Sequence, residues 1–166
     1  EVAGAGGAVT GLRLEGFAPS VAHRTRMLDG LLKPFGEVAH IGPAASPPFW
    51  RAVRDVVPLA SAPGGGGERI LWRISTVPNR GAELAAVVAA SAQARLLFDW
   101  AGGLIWLALP ASDDGGAALV RRAVVMTGGH ATLIRAPAAV RAAVAVFEPP
   151  DTALAALSRR VKDGFD

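Results

Sequence analysis

Five side chains of this 166-residue sequence could act together on a small anion: Arg73, Asp99, Trp106, His130 and Arg135. An arginine can hold both oxygens of a carboxylate at once, and a histidine beside it can add a hydrogen bond or take a proton. A basic fork, a histidine and an aromatic wall on one rigid surface are therefore what orienting a small carboxylate requires. The same atoms also allow a plainer arrangement, in which Arg73 and Asp99 form an ion pair on a partly wet sheet with Trp106 lying across them. Both readings stay open at this level. An error of one residue in strand register would exchange Arg135 for His130 as the inward-facing group.

The segments that carry these residues read as strands. Arg69 to Val77, Ala94 to Trp100, Leu104 to Leu109 and His130 to Ala136 are largely apolar and bounded by turn residues, with Ala101 to Gly103 as a tight link. Between them, Gly81 to Ser91 predicts an alanine-rich helix. A second helix, from about Asp113 to Thr127, has acidic residues where its dipole favours them and ends at Gly128 and Gly129. The order β-α-β-β-α-β predicts an α+β domain: a mainly antiparallel sheet of ferredoxin-like type with helices on one face. One alternating set of side chains should face those helices: Ile70, Trp72, Ile74, Leu96, Phe98, Trp100, Ile105, Leu107, Leu109, Ala131 and Leu133. The opposite set mixes Leu71, Arg73, Ser75, Arg95, Leu97, Asp99, Leu104, Trp106, Ala108, His130, Thr132 and Ile134. That is too much Leu and Trp for a solvated face and too much charge for a core, so it reads as an interface.

The remainder is less sharply punctuated. Val9 to Phe17 alternates and predicts a strand. Pro19 and Ser20 open a helix with the stripe Val21, Thr25, Leu28, Leu32 and Phe35, closed by Pro34 and Gly36, and Glu37 to Gly42 predicts a short strand. This N-terminal β-α-β segment is expected to widen the sheet. Ser46 opens a helix that ends before Pro58, and Ala60 to Gly67 is a glycine-rich loop. Pro137 to Phe147 predicts another helix, and Asp151 caps a last one carrying Leu154, Leu157 and Val161. Length alone predicts one domain.

Composition removes several chemistries. With no cysteine there is no disulfide, no thiolate nucleophile and no cysteine-held metal or cluster. His23, His40 and His130 sit on different elements without ligand spacing, so no metal site is predicted. No GxSxG elbow occurs, the glycine run lacks the spacing of a phosphate cradle, and Asp113 with Asp114 is explained by a helix start. Seventeen basic residues against 14 acidic leave only +3, and the arginines are scattered, so no nucleic-acid stripe is expected. The longest apolar runs fall far short of the ~20 residues that a membrane span needs. A cytoplasmic setting is permitted, and Glu1 to Ala8 reads as a cut edge, not as a signal peptide.

Leu14-Glu15-Gly16-Phe17, Leu71-Trp72-Arg73-Ile74-Ser75, Asp99-Trp100-Ala101-Gly102-Gly103 with Trp106, Gly129-His130-Ala131-Thr132-Leu133 with Arg135-Ala136-Pro137, and Arg160-Val161-Lys162 through Phe165-Asp166 span nearly the whole chain. Together they resemble the C-terminal half of the FAD-binding subunit of bacterial glycolate oxidase, one of the vanillyl-alcohol-oxidase-like flavoproteins. The resemblance implies a substrate-side cap over a flavin held by an N-terminal domain that this chain lacks, so that the fragment alone should be inactive and hold no FAD. It implies oxidation of glycolate, or a similar 2-hydroxy acid, to glyoxylate, with hydride passing to flavin. Electrons would leave through partner subunits, a second FAD subunit and an iron–sulfur subunit, in the cytoplasm or at the membrane surface through those partners. It assigns Arg73 as carboxylate clamp, His130 as polar contact or base, Trp106 as wall, Asp99 as the group orienting Arg73, and Arg135 as a further substrate contact. The alternative is a ferredoxin-like small-molecule-sensing or protein-interaction module without catalysis.

Overall fold

The computed structural model describes residues 7–60 and 69–165, which fall into two compact units, Glu1–Pro47 and Pro48–Asp166. Most of the expected glycine-rich loop and of the N-terminal edge lies outside the described residues.

The first unit is built around helix α1, Ala18–Leu32, with Pro19 in its first turn. Val21, Thr25, Leu28 and Leu32 are half-buried while Arg24 and Arg26 are exposed, so four positions of the expected stripe share a face; the fifth, Phe35, is 86% exposed, and no residue of α1 is fully buried. One 3-10 turn, Lys33–Phe35, continues it to Gly36, whose φ of 154° ends it. The two expected strands do not form. Val9–Phe17 and Glu37–Gly42 make no ladder, so there is no N-terminal β-α-β extension of the sheet. Alternation marks a segment able to pair, and a strand exists only when a partner satisfies its main chain. Here side chains from α1 make the ties: Arg24 donates to the Glu15 carbonyl at 2.5 Å, and His40 Nε2 lies 3.1 Å from Asp29.

In the second unit, helix α2, Ser46–Arg54, which begins just ahead of the unit's first residue, leads through Val56 to a 3-10 turn, Val57–Leu59. Strand β1 (Ile70–Ser75), helix α3 (Gly81–Ala89), β2 (Arg95–Asp99), β3 (Leu104–Leu109), helix α4 (Ala117–Thr127) and β4 (His130–Arg135) follow in the expected order. All three pairings are antiparallel and the strand order is β2-β3-β1-β4. The fold is therefore α+β.

One face of the sheet carries the core. Ile70, Trp72, Ile74, Ile105, Leu107, Leu109, Ala131 and Leu133 pack against Leu84 and Val88 of α3 and Val120, Ala123 and Val124 of α4. Each fully buried Leu, Ile or Val of this cluster contributes about 1.5–3 kcal/mol relative to exposure. Phe98 and Trp100 depart from the expected set, at 43% and 61% exposed. β2 is an edge strand, so Phe98 lies at the rim of the helix layer. Trp100 and Ala101 have left-handed φ of 52° and 54°, and Gly102 has 95°, which takes Trp100 out of the strand's alternation.

Among the described residues, the short segment from Val56 to Leu59 lies against the opposite face, its apolar side chains covering Leu71 and Ala108 beside Leu97 and Trp106. Val56 holds a left-handed φ of 55°, unusual for a β-branched residue, while its side chain is buried there.

The predicted helix Pro137 to Phe147 is shorter, α5 spanning Ala138–Ala143. Val144 turns extended and the chain runs beside β4, where Leu133 N–H donates to the Val146 carbonyl at 2.8 Å. The unpaired main chain of an edge strand needs such cover. Helix α6, Thr152–Asp163, is capped by Asp151, which accepts from Leu154 N–H at 2.8 Å.

Candidate functional site

Strand register brings the expected residues to one face. Across the four strands run the rows Leu97, Trp106, Arg73, Thr132; Asp99, Leu104, Ser75, His130; and Arg95, Ala108, Leu71, Arg135. Alternation alone sets His130 and Arg135 on opposite faces. A β-bulge at Ile134 resolves that conflict: Trp72 pairs with Leu133 but Leu71 with Arg135, so the extra residue returns Arg135 to the face of His130 and Thr132.

The arginines on this face are not equivalent. Arg135 donates to the carbonyls of Leu59 and Arg69 at 3.2 and 3.4 Å, and Arg95 to that of Pro58 at 2.6 Å. Both tie the Val56–Leu59 segment and its flanks to the sheet. Arg73, half-buried at the centre of β1, has no carboxylate within 4.0 Å among the described residues. The expected Arg73–Asp99 ion pair is not formed. Strand β3 stands between the two, and Asp99 accepts from the Trp100 N–H at 2.7 Å. The neighbour of Arg73 is instead Trp100, with the guanidinium carbon 5.9 Å from the indole centroid. That distance is within reach of a cation–π contact.

His130 is exposed at the start of β4, opposite Ser75. Trp106 is directly opposite Arg73, half-buried against the Leu71–Ala108 cluster. Trp100 is the contributor that alternation missed. Its signal was the Asp-Trp-Ala-Gly-Gly run, whose glycines permit a left-handed turn that an alternation rule does not follow.

At the end of the sheet where Ser75 faces Leu104 and His130, three glycines have a structural role. A Cβ on Gly81 would lie 2.3 Å from the Gly102 carbonyl oxygen, one on Gly102 2.8 Å from that of Pro78, and one on Gly129 2.1 Å from that of Ser75. Main chain fills these spaces, so they offer no cradle to a cofactor pyrophosphate. The cleft lined by Gln93, Leu109, Ser112 and Leu119 is at the other end of the sheet and has no titratable side chain.

Helix α4 begins at an anion-stabilised turn. Asp114 accepts from Gly116 N–H at 2.9 Å, Ala118 N–H at 3.1 Å and the Ser112 hydroxyl at 3.1 Å. The Ala118 and Gly116 bonds hold its carboxyl below the ordinary carboxylate value. Among the described residues no group of three or more His, Asp or Glu is placed to hold a metal, and no helix is long and apolar enough to cross a membrane. In comparisons with known proteins, no family model, no curated protein and no solved structure matches the chain.

Proposed function

We propose that the open face of this sheet binds a small carboxylate at Arg73 and is the substrate-side wall of a flavin-dependent 2-hydroxy-acid oxidoreductase, with glycolate as the simplest substrate. The observation that carries the reading is Arg73 itself. It is a half-buried guanidinium on a central strand, beside Trp100 and Trp106, without a carboxylate partner among the described residues. An unneutralised arginine on a rigid strand, next to aromatic walls, favours a planar anion that can accept two parallel hydrogen bonds.

In this reading Arg73 fixes the carboxylate, Trp100 and Trp106 limit its orientation, and His130 offers a hydrogen bond or takes a proton at the rim. Asp99 acts through Trp100, whose main chain it holds, and Arg135 supports the covering segment. Flavin, which would accept the substrate's hydride, is held by residues outside this chain, whose own part is to bind, orient and exclude water. Partner subunits carrying flavin and an iron–sulfur cluster would take the electrons onward.

The test is titration of the chain with glycolate and with acetate, followed by amide chemical shifts. Saturable shifts on β1, β3 and β4 that Arg73→Ala abolishes and Arg95→Ala leaves in place are expected. Absence of binding, or binding that survives Arg73→Ala, would remove the reading. That result would leave the sheet as an interaction module without catalysis.

A further inference from the structure

We infer that strand β2 is a self-complementary edge through which two copies of this chain join their sheets. The argument is independent of the carboxylate site. Thr76 N–H donates to the Gly103 carbonyl at 2.9 Å, so Gly103 and, by the two-residue period, Ile105 and Leu107 turn their main chain toward β1. Leu104, Trp106 and Ala108 consequently turn theirs toward β2, where they face Asp99, Leu97 and Arg95. Leu96 and Phe98 are left with N–H and C=O groups directed outward. Among the described residues no hydrogen bond reaches those groups.

The opposite edge is treated differently. On β4 the outward carbonyl and N–H of Ala131 are taken by Arg121 and Glu148, and the N–H of Leu133 by the Val146 carbonyl. A sheet with one edge covered and the other bare has a place prepared for one more strand.

The sequence of β2 names the occupant. Arg95-Leu96-Leu97-Phe98-Asp99, laid antiparallel on itself about Leu97, sets Arg95 against Asp99 of the second copy, Leu96 against Phe98, and Leu97 against Leu97. Opposite charges meet at both ends and apolar side chains between them, the pattern that stabilises cross-strand pairs. The main chain agrees with the side chains. Leu96 and Phe98, whose groups point outward, become the hydrogen-bonded pairs, and Leu97 lies on the two-fold axis as a non-hydrogen-bonded pair. Phe98, 43% exposed, gains an apolar neighbour. The two-fold axis keeps α3 and α4 of both copies on the same side of one eight-stranded sheet.

Sedimentation equilibrium of the chain tests this, with circular dichroism to confirm that each variant folds. The wild type is expected to dimerise, and Arg95→Glu and Asp99→Arg each to weaken the dimer by about tenfold, since each sets like charges across both ends of the ladder. The double variant Arg95→Glu/Asp99→Arg restores opposite charges and should recover the dimer, although it lacks the Arg95–Pro58 contact as the single variant does. Phe98→Pro, which removes an outward donor and none that β3 uses, should leave a folded monomer. A wild-type chain that stays monomeric, a double variant no tighter than the singles, or a dimer indifferent to Phe98→Pro would each overturn the proposal.

Discussion

The Arg121 guanidinium lies over the indole of Trp72, its central carbon 5.0 Å from the ring centroid, while the indole N–H donates to the Gly115 carbonyl at 2.8 Å. The same guanidinium donates to the carbonyls of Ala131, Ala145 and Phe147 at 2.6, 2.9 and 2.8 Å and pairs with Glu148. One side chain thereby fastens α4, the edge of β4 and the segment after α5 to the central tryptophan.

Removing that fork leaves Glu148, 28% exposed, with its charge unmatched. Arg121→Met is expected to destabilise the second unit by about 3 kcal/mol, because a sheltered carboxylate loses its partner and three carbonyls lose a donor. Arg121→Lys should recover little of this, since an ammonium cannot reproduce the planar fork. Urea unfolding of the variants measures both.

Two glycine replacements should have opposite signs. Gly30 lies within α1 with nothing within 4 Å of an added Cβ, so Gly30→Ala should stabilise its helix by about 1 kcal/mol. Gly81 opens α3 with a helical φ of −59°, where propensity also favours alanine, yet the Gly102 carbonyl oxygen stands 2.3 Å away from the new carbon. Gly81→Ala is therefore expected to destabilise by about 1–3 kcal/mol. Thermal unfolding followed by circular dichroism separates the two cases.

Asp114 links stability to acid. Its folded pKa is depressed below 3.8 by the Ala118 and Gly116 N–H bonds, so its contribution is complete above the unfolded value and fades as pH falls through the folded one. Asp114→Ala should cost about 1 kcal/mol at neutral pH. The difference from wild type should shrink as pH is lowered below about 4. Paired urea titrations at several pH values give the curve.

Arg135 has a structural task on the open face. Arg135→Met removes its bonds to Leu59 and Arg69, and amide exchange at Leu59 and Ala60 should accelerate, about tenfold for roughly 1.4 kcal/mol of lost local stability. Arg73→Met should leave these amides unchanged, because Arg73 holds no main-chain carbonyl among the described residues. Hydrogen exchange with mass spectrometry distinguishes them.

The second half was legible in the sequence because two signals agreed there. Period-two alternation in Ile70, Trp72 and Ile74, and again in Ile105, Leu107 and Leu109, gave the helix-facing side, and glycines at 128 and 129 marked the end of α4. The first half carried only one signal. Val9 to Phe17 alternates, but no neighbouring strand completes it, and alternation does not encode a partner. At the site, shared placement of Arg73, Trp106 and His130 on one face followed from register. The company of Arg73 did not, since Trp100 arrives there through a left-handed turn and Asp99 closes on the main chain of its neighbour. Arg121 and Glu148 were invisible for a related reason: 27 residues separate them, and neither belongs to a periodic pattern.

Covering β4 while leaving β2 bare fixes how far assembly can go. In the proposed pairing both molecules use their β2 edge, which is the bare one among the described residues, and the outer rims of the joined sheet are the β4 edges held by Arg121, Glu148 and Val146. Growth by edge addition terminates at two, and the polymerisation into fibrils that a sheet open on both sides would permit has no starting point.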